Sequence, residues 1–249
     1  MADSTSARSN EKYSHSIHKD ISMKDEGKTN SDWAVIFDVD GTMVDNAKFH
    51  EGAWIEFGRR HDLPIDGEYY RKNIHSRSND INIRKLLGED TTDANVEKFG
   101  DEKESIYRQT FGPVAKEIAG LKVLLDSLKQ QGVKCAAASN SPRGNVDLVL
   151  DKLDIRNYFD VIIDNDQVNI GKPDPEIFFM TAQKLAIPPD RCVIVEDSIS
   201  GFKAAENAEM AYIVITAGAD SSELKFAKHA KAIHQDFTAI TPEYLERLL

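Results

Sequence analysis

"VIFDVDGTMVDN", residues 35–46, is an apolar run that breaks on an aspartate and then sets Asp38, Asp40 and Asp45 close together. Near-continuous apolar character suits a parallel strand covered on both faces. Carboxylates so close repel one another, and a buried one is costly unless paired or bound to a metal. Such a strand end predicts either a cation site or a turn rich in caps.

Four more runs of the same kind follow: "VKCAAAS" (133–139), "FDVIID" (159–164), "RCVIVED" (191–197) and "AYIVIT" (211–216). Helical patterns separate the later ones, at 120–131, 144–153, 175–186 and 200–208. Alternating β and α units predict an α/β fold, a Rossmann-like doubly wound parallel sheet. Residues 46–112 break the rhythm with helical patterns and no strand. They read as a small all-helical cap domain inserted after the first strand. The core is then expected at 32–45 and 113–249, and residues 1–31, polar throughout, as a disordered tail. His15 and His18 in that tail read as solvated.

The chain has 249 residues, 41% of them hydrophobic, and a formal net charge of −11. That charge argues against nucleic acid or an anionic membrane as partner, since both need a basic face. No apolar stretch reaches the roughly 18 residues of a membrane span. Cys135 and Cys192 sit inside apolar runs and read as buried thiols, which fits a reducing, cytoplasmic setting. With no exposed apolar stripe evident, a monomer is expected.

Ligands in open parallel sheets bind beyond the carboxyl ends of the strands. Those ends carry Asp38 and Asp40, then Ser139 and Asn140, then Asp164 and Asp166 with Lys172 beyond, then Glu196, Asp197 and Ser198. Carboxylates without His or Cys suit a hard cation such as Mg²⁺. A hydroxyl and a lysine suit phosphate oxygens. Together they point to phosphoryl transfer on a small phosphorylated metabolite. Asp45 reads as a turn or N-cap residue before the insert. Asp164 and Asp166 read as loop caps, and Ser198 and Ser200 as helix caps.

"DVDGT", "ASNS", "GKPDPEIF" and "VEDSISG" resemble, in order, the four motifs of the haloacid dehalogenase (HAD) superfamily, and the helical insert resembles its β-phosphoglucomutase-like branch, which includes sugar-phosphate phosphatases. The resemblance implies Asp38 as nucleophile, forming an aspartyl-phosphate, and Asp40 as general acid and base. It implies Mg²⁺ held by Asp38, Asp197 and the Asp40 carbonyl, with Glu196 in the outer shell or as an alternative ligand and Thr42 capping or orienting the turn after Gly41. Ser139, the Asn140 backbone and Lys172 would hold the phosphoryl group. On the cap, His50 matches a histidine of some relatives, with a surface histidine as the alternative. Arg77 in "IHSRSND" would contact a sugar hydroxyl or second anion, although Ser76 stands where relatives usually carry glycine. Lys103 matches a cap lysine, with a solvated helix lysine as the alternative. Thr42, where β-phosphoglucomutases more often carry an aliphatic residue, favours a phosphatase of small sugar or polyol phosphates. A hexose phosphomutase and a non-catalytic phosphate-ligand binder are the competing expectations.

Overall fold

The computed structural model describes residues 31–75, 77–217 and 223–249. Apart from Ser31, the expected tail lies outside the described residues, as does Ser76. Along the chain run β1 (Ala34–Phe37), α1 (Ala47–Arg60), α2 (Gly67–Asn73), α3 (Asn79–Leu87), α4 (Asp93–Phe111), α5 (Leu121–Gln130), β2 (Lys134–Ala138), α6 (Arg143–Lys152), β3 (Val161–Ile163), α7 (Glu176–Leu185), β4 (Cys192–Glu196), α8 (Ile199–Asn207), β5 (Ala211–Ile215), β6 (Ala232–His234) and α9 (Pro242–Glu246).

The six strands form one sheet in the order β3-β2-β1-β4-β5-β6, every pairing parallel. Side chains alternate across the pleat, so one strand feeds two cores. Val35 and Phe37 of β1 pack with Leu121, Leu125, Val146 and Val149 of α5 and α6. Ala34 and Ile36 pack on the other face with Ile177, Phe178 and Phe202 of α7 and α8. Both faces are covered, which is why the strands carry so little polarity.

All five strands read from the sequence are present, each trimmed by a residue or two at its ends. β6 and α9 are additions. β6 is a three-residue edge strand without a fully buried residue, too short to stand out as an apolar run.

Helices α1–α4 fill the stretch between β1 and the return connection. The outward and return passes of the chain meet: Ile118 N donates to Met43 O at 2.8 Å, and Val44 bridges Glu117. Trp54, Phe57, Ile83, Tyr107 and Phe111 give the helices an apolar interior that runs on into the core under the sheet. Asp45 is exposed, and the N-cap position of α1 falls on Asn46, whose side chain caps nothing. Among the described residues no helix is long and apolar enough to cross a membrane.

Candidate active site

In this strand order the direction of winding reverses between β1 and β4, and a crevice opens beyond their carboxyl ends. Asp38 leaves β1 there, and Glu196 and Asp197 leave β4. The register pairs Phe37 with Val195, and Asp38 N donates to Val195 O at 2.9 Å, so the carboxylates emerge side by side. The turn after Asp40 closes through Gly41 N to Val44 O at 2.9 Å. Gly41 has φ +85°, and a Cβ there would lie 2.0 Å from Asp197 Oδ2. Only glycine lets the turn come so close to that carboxylate.

Lys172 reaches this cluster from the loop before α7. Its Nζ donates to Asp38 Oδ1 and Glu196 Oε1, both at 2.6 Å, and to Ala138 O at 2.9 Å. All three of its protons are used, and the side chain is 2% exposed. Asn140 fixes the loop that carries it: the Asn140 amide donates to Lys172 O and accepts from Lys172 N, at 3.0 and 2.9 Å. Beyond the backbone role expected of it, Asn140 thus clamps the lysine's own backbone with its side chain. Burial works against the Lys172 charge, but Asp38 and Glu196 outweigh it and push its pKa up. Burial, then the charge of Glu196, pushes Asp38 well above the usual carboxylate range, while Lys172 pulls it back. Burial, then Asp38 and Glu196, do the same to Asp197.

Oxygens of Asp38, Glu196 and Asp197 lie within 4.8 Å of one another. Glu196 is largely spoken for: Oε1 takes Lys172, and Oε2 accepts from Asp197 N, Ser198 N and Ser198 Oγ. Asp197 receives one bond, from Thr42 Oγ1 to Oδ1 at 3.2 Å. Two crowded carboxylates with few donors, Asp38 and Asp197, fit a hard divalent cation, and Glu196 fits the role of holding Lys172 and the β4 turn.

Asp40 faces a different set of partners. Asn46 Nδ2 donates to its Oδ1 at 2.5 Å, and Tyr107 OH stands 3.4 Å from the same oxygen. On the other side Ser141 Oγ donates to Oδ2, and Ser139 Oγ lies 3.5 Å away. His50 Nε2 faces Oδ1 across 3.8 Å, beyond hydrogen-bond reach. Burial would raise Asp40, but His50 beside it and the bonds from Ser141 and Asn46 outweigh burial and hold its pKa below the usual carboxylate range.

His50 is far from a free surface ring. It stacks on Tyr107 at 3.9 Å and 9°, and Lys103 Nζ sits 3.0 Å from its Nδ1. An ammonium has only donors, so in this contact Nδ1 is the acceptor, and Nε2 is the ring nitrogen that faces Asp40. Lys103 is 3% exposed, and its Nζ also donates to Glu104 Oε1 at 2.9 Å. The solvated-lysine alternative is therefore overturned: α4 turns this position inward, against α1.

Arg77 is not among the groups brought together. It is exposed, and its guanidinium donates to Asn73 O at 2.8 Å, which ties the loop to the end of α2. Asp164 and Asp166 cap as read: Asp164 accepts from Asp166 N, and Asp166 from Arg143 N. Ser198 caps α8 through Gly201 N, with Ser200 on its hydroxyl. Three Asp40 partners escaped the sequence reading: Asn46, Ser141 and Tyr107. Ser141 lies inside the quoted "ASNS" and could have been drawn from it; Tyr107 carries no local signal.

Sheet order and acidic crevice together define a doubly wound α/β protein with a candidate site at its topological switch point. The chain belongs to the haloacid dehalogenase-like hydrolases, whose family model matches residues 34–209. A phosphorylated carbohydrates phosphatase of Thermotoga maritima is 31% identical over 179 residues, which span 70% of this chain and 81% of that protein. A beta-phosphoglucomutase of Bacillus subtilis is 32% identical over 184 residues, 71% of this chain and 80% of that one. Among solved structures, a HAD hydrolase of family IA, variant 3, from Entamoeba histolytica aligns with a TM-score of 0.79 at 29% identity, covering 87% of this chain and 98% of its own.

Proposed function

We propose that this hydrolase is a Mg²⁺-dependent phosphatase of small sugar or polyol phosphates, working through an aspartyl-phosphate on Asp38. One observation carries the reading: the two carboxylates at the end of β1 have separate partners. Asp38 lies with Lys172 and the acidic cluster, whereas Asp40 is held by Asn46, Ser141 and Tyr107, with His50 facing it.

That separation supports distinct roles. Asp38 attacks phosphorus, and the bond to the sugar oxygen breaks. Asp40 gives that oxygen its proton, so the sugar leaves as an alcohol. In the second half Asp40 takes a proton from water as the water's oxygen attacks the phosphoryl group, and Asp38 departs as carboxylate. Asp40 must hold a proton for the first half. The arriving phosphate supplies the reason, because its negative charge beside Asp40 opposes ionisation and draws the pKa upward. Lys172 offsets the charge on Asp38 and the phosphoryl oxygens, with Ser139 and the Asn140 backbone as further donors. Asp38, Asp197 and the Asp40 carbonyl would hold Mg²⁺, which when bound supplies charge neutralisation at the phosphoryl group. Helices α1–α4 act as a cap that sheds water and reads the leaving group. The relative from T. maritima, named for phosphorylated carbohydrates, is in keeping with this substrate class. The two buried free thiols are in keeping with a cytoplasmic setting.

A second reading, hexose phosphomutase, draws on the relative from B. subtilis and on the His50 and Lys103 side chains that the insert sets against Asp40. The test is phosphate release from a panel of sugar and polyol phosphates with Mg²⁺. Release by the wild type and none by Asp38→Asn supports the phosphatase; equal behaviour of the two proteins overturns it. Conversion of β-glucose 1-phosphate to glucose 6-phosphate, stimulated by the bisphosphate and without net release, would assign the mutase instead.

A further inference from the structure

Glu104 of α4 is 4% exposed, yet it lies outside the crevice and makes no contact with Asp38, Asp40 or Lys172. Its Oε1 accepts from Lys103 Nζ at 2.9 Å and from Asn79 Nδ2 of α3 at 2.8 Å. Its Oε2 accepts from Asn145 Nδ2 at 2.7 Å, and Asn145 belongs to α6, against the sheet. Asn145 is fully buried. Its Oδ1 accepts in turn from Arg108 Nη1 at 3.0 Å. Glu104 and Arg108 stand four apart on α4, on one face of the helix, and grip the two ends of a single amide. A buried amide with both ends matched to a carboxylate and a guanidinium fixes where α4 sits on α6.

The same contacts lead to the crevice. From Asn145 a line of close polar contacts runs through Glu104 to Lys103 Nζ and from Lys103 to His50 Nδ1, and His50 Nε2 faces Asp40 Oδ1 across 3.8 Å. Both ends of that line are anchored beside the sheet, Asp40 after β1 and Asn145 in α6, while its middle belongs to the helical insert. The line is complete only while α4 is seated on α6. α6 also begins two residues after Ser141, the other donor to Asp40. One core segment thus holds both the hydroxyl on Asp40 and the amide that seats the insert.

We propose that Asn145 is a positioning residue: by clasping Glu104 and Arg108 it seats the insert so that Lys103 sets the tautomer and orientation of His50 against Asp40. The effect on turnover rests on Asp40 as the acid–base group; the coupling from Asn145 to His50 does not. Losing the clasp costs the step in which Asp40 protonates a poor leaving group, and spares a leaving group that departs without help. A small displacement of a catalytic geometry costs about 10- to 100-fold in rate.

Two full-length variants test this. Asn145→Ala removes the clasp. Asn145→Asp keeps its size and its acceptor for Arg108 but turns a carboxylate toward Glu104, and it serves if the alanine variant fails to fold. The first measurement needs no activity: ¹⁵N-edited NMR of the His50 ring, with Lys103→Met as reference. The ring signals of either folded Asn145 variant should move toward those of Lys103→Met; signals identical to wild type overturn the coupling. The second compares phenyl phosphate with p-nitrophenyl phosphate under Mg²⁺. The variants should lose about tenfold or more in kcat on phenyl phosphate and little on p-nitrophenyl phosphate. Equal losses on both esters would make Asn145 merely structural. Moved His50 signals in a protein that cleaves neither ester would leave the coupling standing and remove the acid–base reading instead.

Discussion

Lys172 Nζ lies 2.6 Å from Asp38 Oδ1 with almost no solvent around either group, and Glu196 takes the same ammonium from the other side at the same distance. One positive charge therefore serves two buried negative ones, and a third carboxylate, Asp197, lies beside them.

Removing that charge should be expensive. Breaking a buried ion pair from one side costs about 3–5 kcal/mol, because it strands the partner's charge. Lys172→Met, unfolded by urea in the presence of a chelator, should lose stability in that range. Added Mg²⁺ should return part of it by binding the folded state alone. A loss under about 1 kcal/mol would mean that the stranded carboxylates simply take up protons.

Glu104 gives the protein an acid-sensitive contact away from the crevice. Burial would raise its pKa, but Lys103, then His50, Asn145 and Asn79, outweigh burial and the shift is downward. A folded-state value below the unfolded one, about 4.3, means that the ionised form stabilises the fold fully above that pH. This stability drains away as pH falls through the lower, folded value. Wild type should thus lose more stability than Glu104→Gln between about pH 5 and pH 3 in chemical unfolding. Parallel curves for the two proteins would contradict it.

Cys135 and Cys192 are free and buried. Burial, with a smaller push from Asp190, raises the Cys192 thiol to about 12, and burial with Asp160 raises Cys135 further. A thiol is reactive only as thiolate. An aromatic disulfide reagent should find no reactive thiol in the native chain at neutral pH and both after unfolding. Prompt reaction of either one in the native state would contradict the burial.

How far the sequence could be read follows from where each signal lives. β1 through β5 were legible because strands covered on both faces must be apolar along their whole length, whereas β6, at the edge, need not be. Asp38, Asp40, Glu196 and Lys172 were legible because strand ends in a parallel sheet share one rim. Asn46 and Tyr107 were not: Asn46 reaches Asp40 through the geometry of the intervening turn, and Tyr107, 61 residues beyond Asn46, only after α4 has folded back over it. Lys103 carried only the match to a cap lysine of relatives; its neighbours in sequence do not tell an inward lysine from a solvated one, since that depends on which face of α4 meets α1. Arg77 was drawn from its place in "IHSRSND", which resembles a specificity loop, and its guanidinium donates to the Asn73 carbonyl.

On the proposed mechanism Asp38 carries the phosphoryl group. The most direct test is acid quenching of Asp40→Asn after incubation with Mg²⁺ and p-nitrophenyl phosphate, followed by mass analysis of the peptides. One added phosphoryl group is expected on the peptide that holds Asp38, and none when Asp38 is replaced by Asn. Hydrolysis by Asp38→Asn at the wild-type rate, or label on any other residue, would contradict it.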